Sequence, residues 1–92
     1  MYTEIRKYRS IHKDEIVEKV KAEFAPMLRS HAGYVAYYVL DEGGDALASI
    51  SIFETRAEAR DSNLLAADWV KNNIASLVEG PPEITEGEVV VS

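Results

Sequence analysis

The sequence contains no cysteine, which removes disulfides, thiolate catalysis and cysteine-bound zinc from consideration. Positive charge is scarce as well. Ten Lys and Arg face 16 Asp and Glu, for a formal net charge of −6. No basic stripe is present to neutralise phosphates, so no nucleic acid partner is expected. An anionic membrane surface is disfavoured for the same reason. No apolar run approaches the ~20 residues that a membrane-crossing helix needs. The opening stretch Met-Tyr-Thr-Glu-Ile-Arg-Lys-Tyr lacks the apolar core of a secretory leader, which makes the cytoplasm the expected location. The chain has 2 histidines, His12 and His31, at no metal-ligand spacing and with no third ligand in view, so no metal site is expected. Neither a nucleophile elbow nor a phosphate-cradling glycine loop occurs.

What remains is an ordinary globular composition: 47% hydrophobic and 28% charged in 92 residues. That length holds one domain, residues 1–92, with a limited core. Tyr2 to Ile11 reads as a first strand. Tyr2, Glu4, Arg6 and Tyr8 lie at one parity; Thr3, Ile5, Lys7, Arg9 and Ile11 lie at the other. Neither set is cleanly apolar. Ile16, Val20, Phe24 and Leu28 recur every fourth residue and predict a helix over residues 13–30 with one core-facing stripe. Pro26 interrupts it by removing a backbone donor, so a kink or a tightened last turn is predicted. Gly33 supplies the stop.

Tyr34 to Leu40 and Ala46 to Glu54 are rich in β-branched and aromatic residues. The turn sequence Asp41-Glu42-Gly43-Gly44-Asp45 joins them into a hairpin. Thr55-Arg56-Ala57-Glu58 matches a capping box and opens a second helix, residues 56–78. Gly80-Pro81-Pro82 ends it, and Glu83 to Val91 forms a last strand. The order is β-α-β-β-α-β, which predicts an α+β domain with two helices on one face of its sheet.

Alternation in the hairpin puts Tyr34, Ala36, Tyr38, Leu40, Ala46, Ala48, Ile50 and Ile52 on one face. Val35, Tyr37, Val39, Leu47, Ser49, Ser51 and Phe53 take the other. Both faces are substantially apolar, whereas a half-exposed antiparallel sheet alternates apolar with polar. Right-handed connections place both helices on a single face. The second face then needs a cover, and a second copy of the chain is the simplest one. A few hundred Å² of apolar surface per partner, at roughly 25 cal/mol per Å², is worth several kcal/mol. A homodimer through the sheet face is therefore expected.

Few side chains suggest chemistry. His12, between strand one and helix one, has the pKa range of a general base, although a loop histidine there is commonly just solvated. His31 suits the C-terminal end of a helix. Tyr37, Tyr38, Phe53 and Trp69 could line a pocket for a flat organic ligand, the tyrosines and tryptophan also donating hydrogen bonds. The competing reading of each aromatic is plain core. Asn63 or Asn73 could bind a ligand carbonyl. No carboxylate pair stands out as general acid and base. His12, Tyr37 and Trp69 are the catalytic candidates; Tyr37, Tyr38, Phe53, Asn63 and Trp69 are the pocket candidates.

The stretch Ala32-Gly33-Tyr34-Val35-Ala36-Tyr37-Tyr38-Val39-Leu40 resembles the way into strand two in the antibiotic biosynthesis monooxygenase-like family. Ser51-Ile52-Phe53-Glu54-Thr55 with Glu58-Ala59 resembles that family's strand-three end and capped second helix. Ser62-Asn63-Leu64-Leu65-Ala66-Ala67-Asp68-Trp69-Val70 and Ile84-Thr85-Glu86-Gly87-Glu88-Val89 are similar to small uncharacterised members. The resemblance implies an α+β ferredoxin-like sandwich, a four-stranded mainly antiparallel sheet with two helices on one face, assembled as a dimeric α+β barrel with a cavity between each sheet and its helices. It implies either a cofactor-independent monooxygenase of small aromatic or polyphenolic substrates or, as the alternative, a non-enzymatic small-molecule-binding dimer. Haem-degrading members use an Asn on strand one with a Trp and a His on helix two. Here Trp69 is on helix two, but strand one has no Asn and helix two no His. Many oxygenase-like members carry a His after the strand-three motif, where this chain has Ser62-Asn63.

Overall fold

The computed structural model describes residues 1–92. Strand β1 (Tyr2–Arg9) is followed by a helical rod in three parts: α1 (Lys13–Lys19), a π-helical segment (Val20–Phe24) and α2 (Ala25–Arg29). The hairpin β2 (Tyr34–Gly43) and β3 (Ala46–Phe53) comes next, then α3 (Arg56–Asn73), a 3-10 turn (Ala75–Leu77) and β4 (Glu83–Glu88). The four strands lie in the order β2-β3-β1-β4, and every neighbouring pair is antiparallel. This is the ferredoxin-like sandwich that the resemblance implies. No helix is long and apolar enough to cross a membrane.

Both helical layers cover the same face of the sheet. Ile16, Val20, Phe24 and Leu28 from the first rod meet Leu47 and Phe53 from the sheet and Trp69 and Ile74 from the second helical layer. Phe53 is wholly buried, and its ring is met edge-on by Tyr34 and His31, with centroids 6.3 and 5.5 Å away. The cross-strand register is what arranges the site. One row across the inner face reads Tyr37, Ser51, Glu4, Glu86; the next reads Val39, Ser49, Arg6, Ile84. A row across the outer face reads Tyr38, Ile50, Ile5, Thr85.

Four details depart from the sequence-based expectation. Tyr34 pairs with Phe53 while Ala36 pairs with Ile52, so Val35 is an extra residue in the strand. This bulge moves Tyr34 onto the inner face, away from Ala36, Tyr38 and Leu40. Pro26 comes with the tightened last turn that was expected, in which the Ser30 and His31 N–H groups donate to the Met27 and Leu28 carbonyls at 3.3 and 3.0 Å, but also with a change that was not. The backbone upstream widens into a π turn, with the Ala25 N–H donating to the Val20 carbonyl, and Pro26 stands in the first turn of α2, where its missing donor does no harm. The second helix stops at Asn73 rather than continuing to residue 78: Ile74 turns to φ −130°. The Asn73 amide donates to the Trp69 carbonyl at 2.9 Å, and Lys19 Nζ donates to the Asn73 carbonyl at 3.2 Å. Lys19 thereby satisfies a carbonyl that the helix end leaves open. The last strand ends at Glu88, and Val90 and Val91 are almost fully exposed beyond it.

The start of α3 follows its predicted cap. The Thr55 hydroxyl accepts from the Glu58 N–H at 3.2 Å and donates to Glu58 Oε1 at 2.9 Å. The Glu58 carboxylate lies against Gly33, where a Cβ would come within 2.2 Å of it. Gly33 also has φ +78°, a backbone conformation that favours glycine. Strand β1 stops at Arg9 because Ser10, fully buried, turns its hydroxyl to accept from the His12 N–H at 2.8 Å and to donate to the Leu77 carbonyl.

Candidate functional site

Between the sheet and the helices lies a cavity of about 50 Å³ with two unlike walls. The sheet supplies a polar floor of Glu4, Arg6, Tyr8, Tyr37, Ser49 and Ser51. The helices supply an apolar roof that includes Val20, Phe24, Ala66, Trp69 and Val70. The volume holds a few waters; drug-sized ligands occupy roughly 300–1,000 Å³. Val20, Tyr37, Val39 and Leu47 line both this cavity and an open groove between the first helical rod and edge strand β2. Those four side chains are the partition between the inside and a way in.

The floor follows from strand parity. Residues 4, 6 and 8 of β1 alternate inward, and two of them are charged. Glu4 is 4% exposed and would be costly to bury alone. Arg6, two positions on and on the same face, offsets that cost with an Nε–Oε1 contact of 2.6 Å. Burial opposes the charge on Arg6, but Tyr8 and Glu4 outweigh it, so its pKa stands above the ordinary value. Burial also pushes the Tyr37 hydroxyl well above the usual tyrosine range, Tyr8 adds to that, and Arg6 pulls the other way. Tyr37 therefore stays neutral at physiological pH and acts as a hydrogen-bonding group rather than as a base.

Two polar atoms in the molecule are buried without any hydrogen-bond partner: Glu4 Oε2 and Trp69 Nε1. One is an anionic acceptor and the other a donor, and both residues line this one cavity. The Trp69 ring is fixed by Phe24, 5.2 Å away between centroids, and Phe24 is in turn met edge-on by Tyr37 at 5.7 Å. An orphaned buried donor or acceptor costs about 1–3 kcal/mol, and more when charged. Two of them facing one cavity mark the place where a ligand's own polar groups would be accepted.

Of the residues singled out from the sequence, Tyr37, Asn63 and Trp69 come together around the cavity. The others do not join them. His12 is exposed at the N-cap of α1, in a surface hollow with Lys13, Asp14 and Asp41. Tyr38 is 57% exposed on the outer face, as its parity dictates. Phe53 is core beneath Tyr34 and His31, and Asn73 serves the helix end. Glu4 and Arg6 are the residues that sequence reasoning passed over. Their signal was present: opposite charges two apart in a strand share a face and can neutralise each other there. No cluster of three or more His, Cys, Asp or Glu is placed to hold a metal ion.

No family model matches the sequence, and no curated protein does so either. Solved structures match over almost the whole chain. SnoaB, a cofactor-independent oxygenase from Streptomyces nogalater, superposes with a TM-score of 0.77 at 15% identity, covering 99% of this chain and 94% of that one. The ActVA-Orf6 monooxygenase of Streptomyces coelicolor, solved with nanaomycin D, gives 0.76 at 15% identity, covering 99% and 92%. A dimeric ferredoxin-like protein from an uncultured marine organism gives 0.76 at 9% identity, covering 100% and 97%. Proteins assigned as antibiotic biosynthesis monooxygenases from Chloroflexus aurantiacus and Nitrosomonas europaea match comparably. At such identities the likeness is one of fold. The chain thus shares the ferredoxin-like sandwich of these solved structures, with a cavity between its sheet and its helices.

Proposed function

We propose that the cavity takes a small aromatic or phenolic ligand and that the protein is a cofactor-independent oxygenase acting on it, assembled as a cytoplasmic homodimer. The observation that carries this reading is the buried, unpartnered Trp69 Nε1 in an apolar-roofed cavity. The match in fold to cofactor-independent oxygenases supports it. An electron-rich aromatic would lie under the helical roof with its oxygen-bearing edge against the polar floor. A ligand larger than water enters by displacing the Val20–Tyr37–Val39–Leu47 partition. The π turn at Val20–Phe24 includes one member of that partition, Val20, and such turns are frequent at functional sites.

The dimer reading is supported by the outer sheet face. Tyr38 and Leu40 are 57% and 47% exposed there, and Ile5, Ile50, Ile52 and Ala36 share that face. One solved structure of the same fold is dimeric. The cavity's small volume favours a second reading, a binding module without turnover. Oxygen uptake with a panel of quinols and anthrones separates the two. Uptake above background that falls with Trp69→Phe supports the oxygenase. A ligand-dependent rise in melting temperature with no uptake supports the binding module and overturns the oxygenase.

A further inference from the structure

The polar floor has a feature that a generic aromatic pocket does not require: a carboxylate with one oxygen engaged and the other free. Glu4 Oε1 is held by Arg6 Nε at 2.6 Å, while Glu4 Oε2 is buried with no donor in reach. Glu4 is 4% exposed and Trp69 6% exposed. A buried ion pair kept only for stability would have its remaining lone pairs satisfied by neighbouring groups, because an unmet charged acceptor is the expensive kind. Here Oε2 has no such partner, and the Ser62 hydroxyl of the same cavity donates to the Ala59 carbonyl of its own helix at 2.6 Å.

We infer that Glu4 is the proton acceptor of the cavity and that the ligand is a weak oxygen acid, a phenol or enol, whose O–H donates to Glu4 Oε2 while an oxygen of the same ligand accepts from Trp69 Nε1. This rests on the reading that the cavity takes an aromatic ligand, and it names the functional group that the ligand must carry. Ligand ionisation is then a balanced transfer. The ligand O–H bond breaks, an O–H bond forms at Glu4 Oε2, and the negative charge passes to the ligand oxygen. That anion faces the Trp69 N–H and the Arg6 guanidinium, which loses its carboxylate partner's charge at the same moment. Tyr37, held protonated by burial, cannot serve as the acceptor.

The chain has 1 Trp, so tryptophan emission reports on the cavity alone. 4-Nitrophenol and 4-nitroanisole match in ring and size, but only the phenol can donate. Each is titrated against the wild-type protein and Glu4→Gln at a pH where the phenol keeps its proton. The wild type should bind the phenol at least about tenfold more tightly than the ether, the scale of a hydrogen bond to a charged acceptor. Glu4→Gln should shrink that ratio to within about threefold and leave ether binding unchanged, which also shows the pocket intact. An undiminished ratio in Glu4→Gln overturns the inference. So does an equal loss of both probes with a lowered melting temperature, which would make Glu4 purely structural, and so does a wild type that binds neither. Oxygen uptake plays no part in this test, so the oxygenase reading can fail while the Glu4 assignment stands.

Discussion

The two faces of the sheet differ in what covers them. The inner face, roofed by helices, carries the core residues Leu47 and Phe53 together with Glu4, Arg6, Tyr8, Tyr37, Ser49 and Ser51. The outer face, with no helix over it, carries Ile5, Ala36, Tyr38, Leu40, Ile50 and Ile52 beside Thr3, Lys7 and Thr85. A sheet made only to be stable would be apolar inside and polar outside. A charged pair kept where water is excluded, and apolar side chains left where it is not, fit the proposal of a ligand within and another protein surface without. The inner polarity is destabilising by itself, and a domain of this size has only about 5–15 kcal/mol of net stability to set against it.

The comparison breaks first at the point where the inner face is pure core. Phe53→Ala removes a fully buried ring and should destabilise the fold by about 3–5 kcal/mol, enough to leave much of the protein unfolded in a urea titration. Next in size is the outer face. Ile50 sits between Tyr38 and Ile5, and Ile50→Asp places a charge in the middle of that row. Circular dichroism should show the secondary structure retained, while sedimentation shows the dimer lost at micromolar concentration. The smallest effect sharpens the account of the floor. Tyr37 ionises in the unfolded chain near its ordinary value of 10.0, but burial raises that value in the folded protein. The unfolded state therefore gives up its proton first. The contribution from Tyr37 is complete below pH 10 and is lost as pH rises toward the folded value. Tyr37→Phe should flatten the alkaline side of the stability profile measured by denaturant midpoint, and leave the neutral region little changed.

Much of this was legible in the chain itself. The four-residue repeat of Ile16, Val20, Phe24 and Leu28 located the core stripe, and strand parity sorted Tyr37 from Tyr38. Trp69 was recognisable as the aromatic on the sheet-facing side of its helix. The misses have physical causes. Tyr34 changed faces because a bulge at Val35 is decided by pairing with β3, which periodicity does not register. The π turn upstream of Pro26 is a change of backbone pitch that a four-residue side-chain repeat does not register. Val89-Val90-Val91 has high strand propensity, yet Val89 makes only one backbone bond, to the Met1 carbonyl at 2.8 Å, and the other two find no strand to pair with. Glu4 and Arg6 were hidden because charged residues at alternate positions read as a solvated face. Only the sheet order, which puts β1 in an interior position under the helices, turns that face inward.

The division of labour between the faces is tested most directly by sedimentation velocity on the unmodified protein at micromolar concentration. A two-face account predicts one species at twice the mass of the chain. A single species at the mass of one chain, with Tyr38, Ile50 and Leu40 left in water, would contradict it.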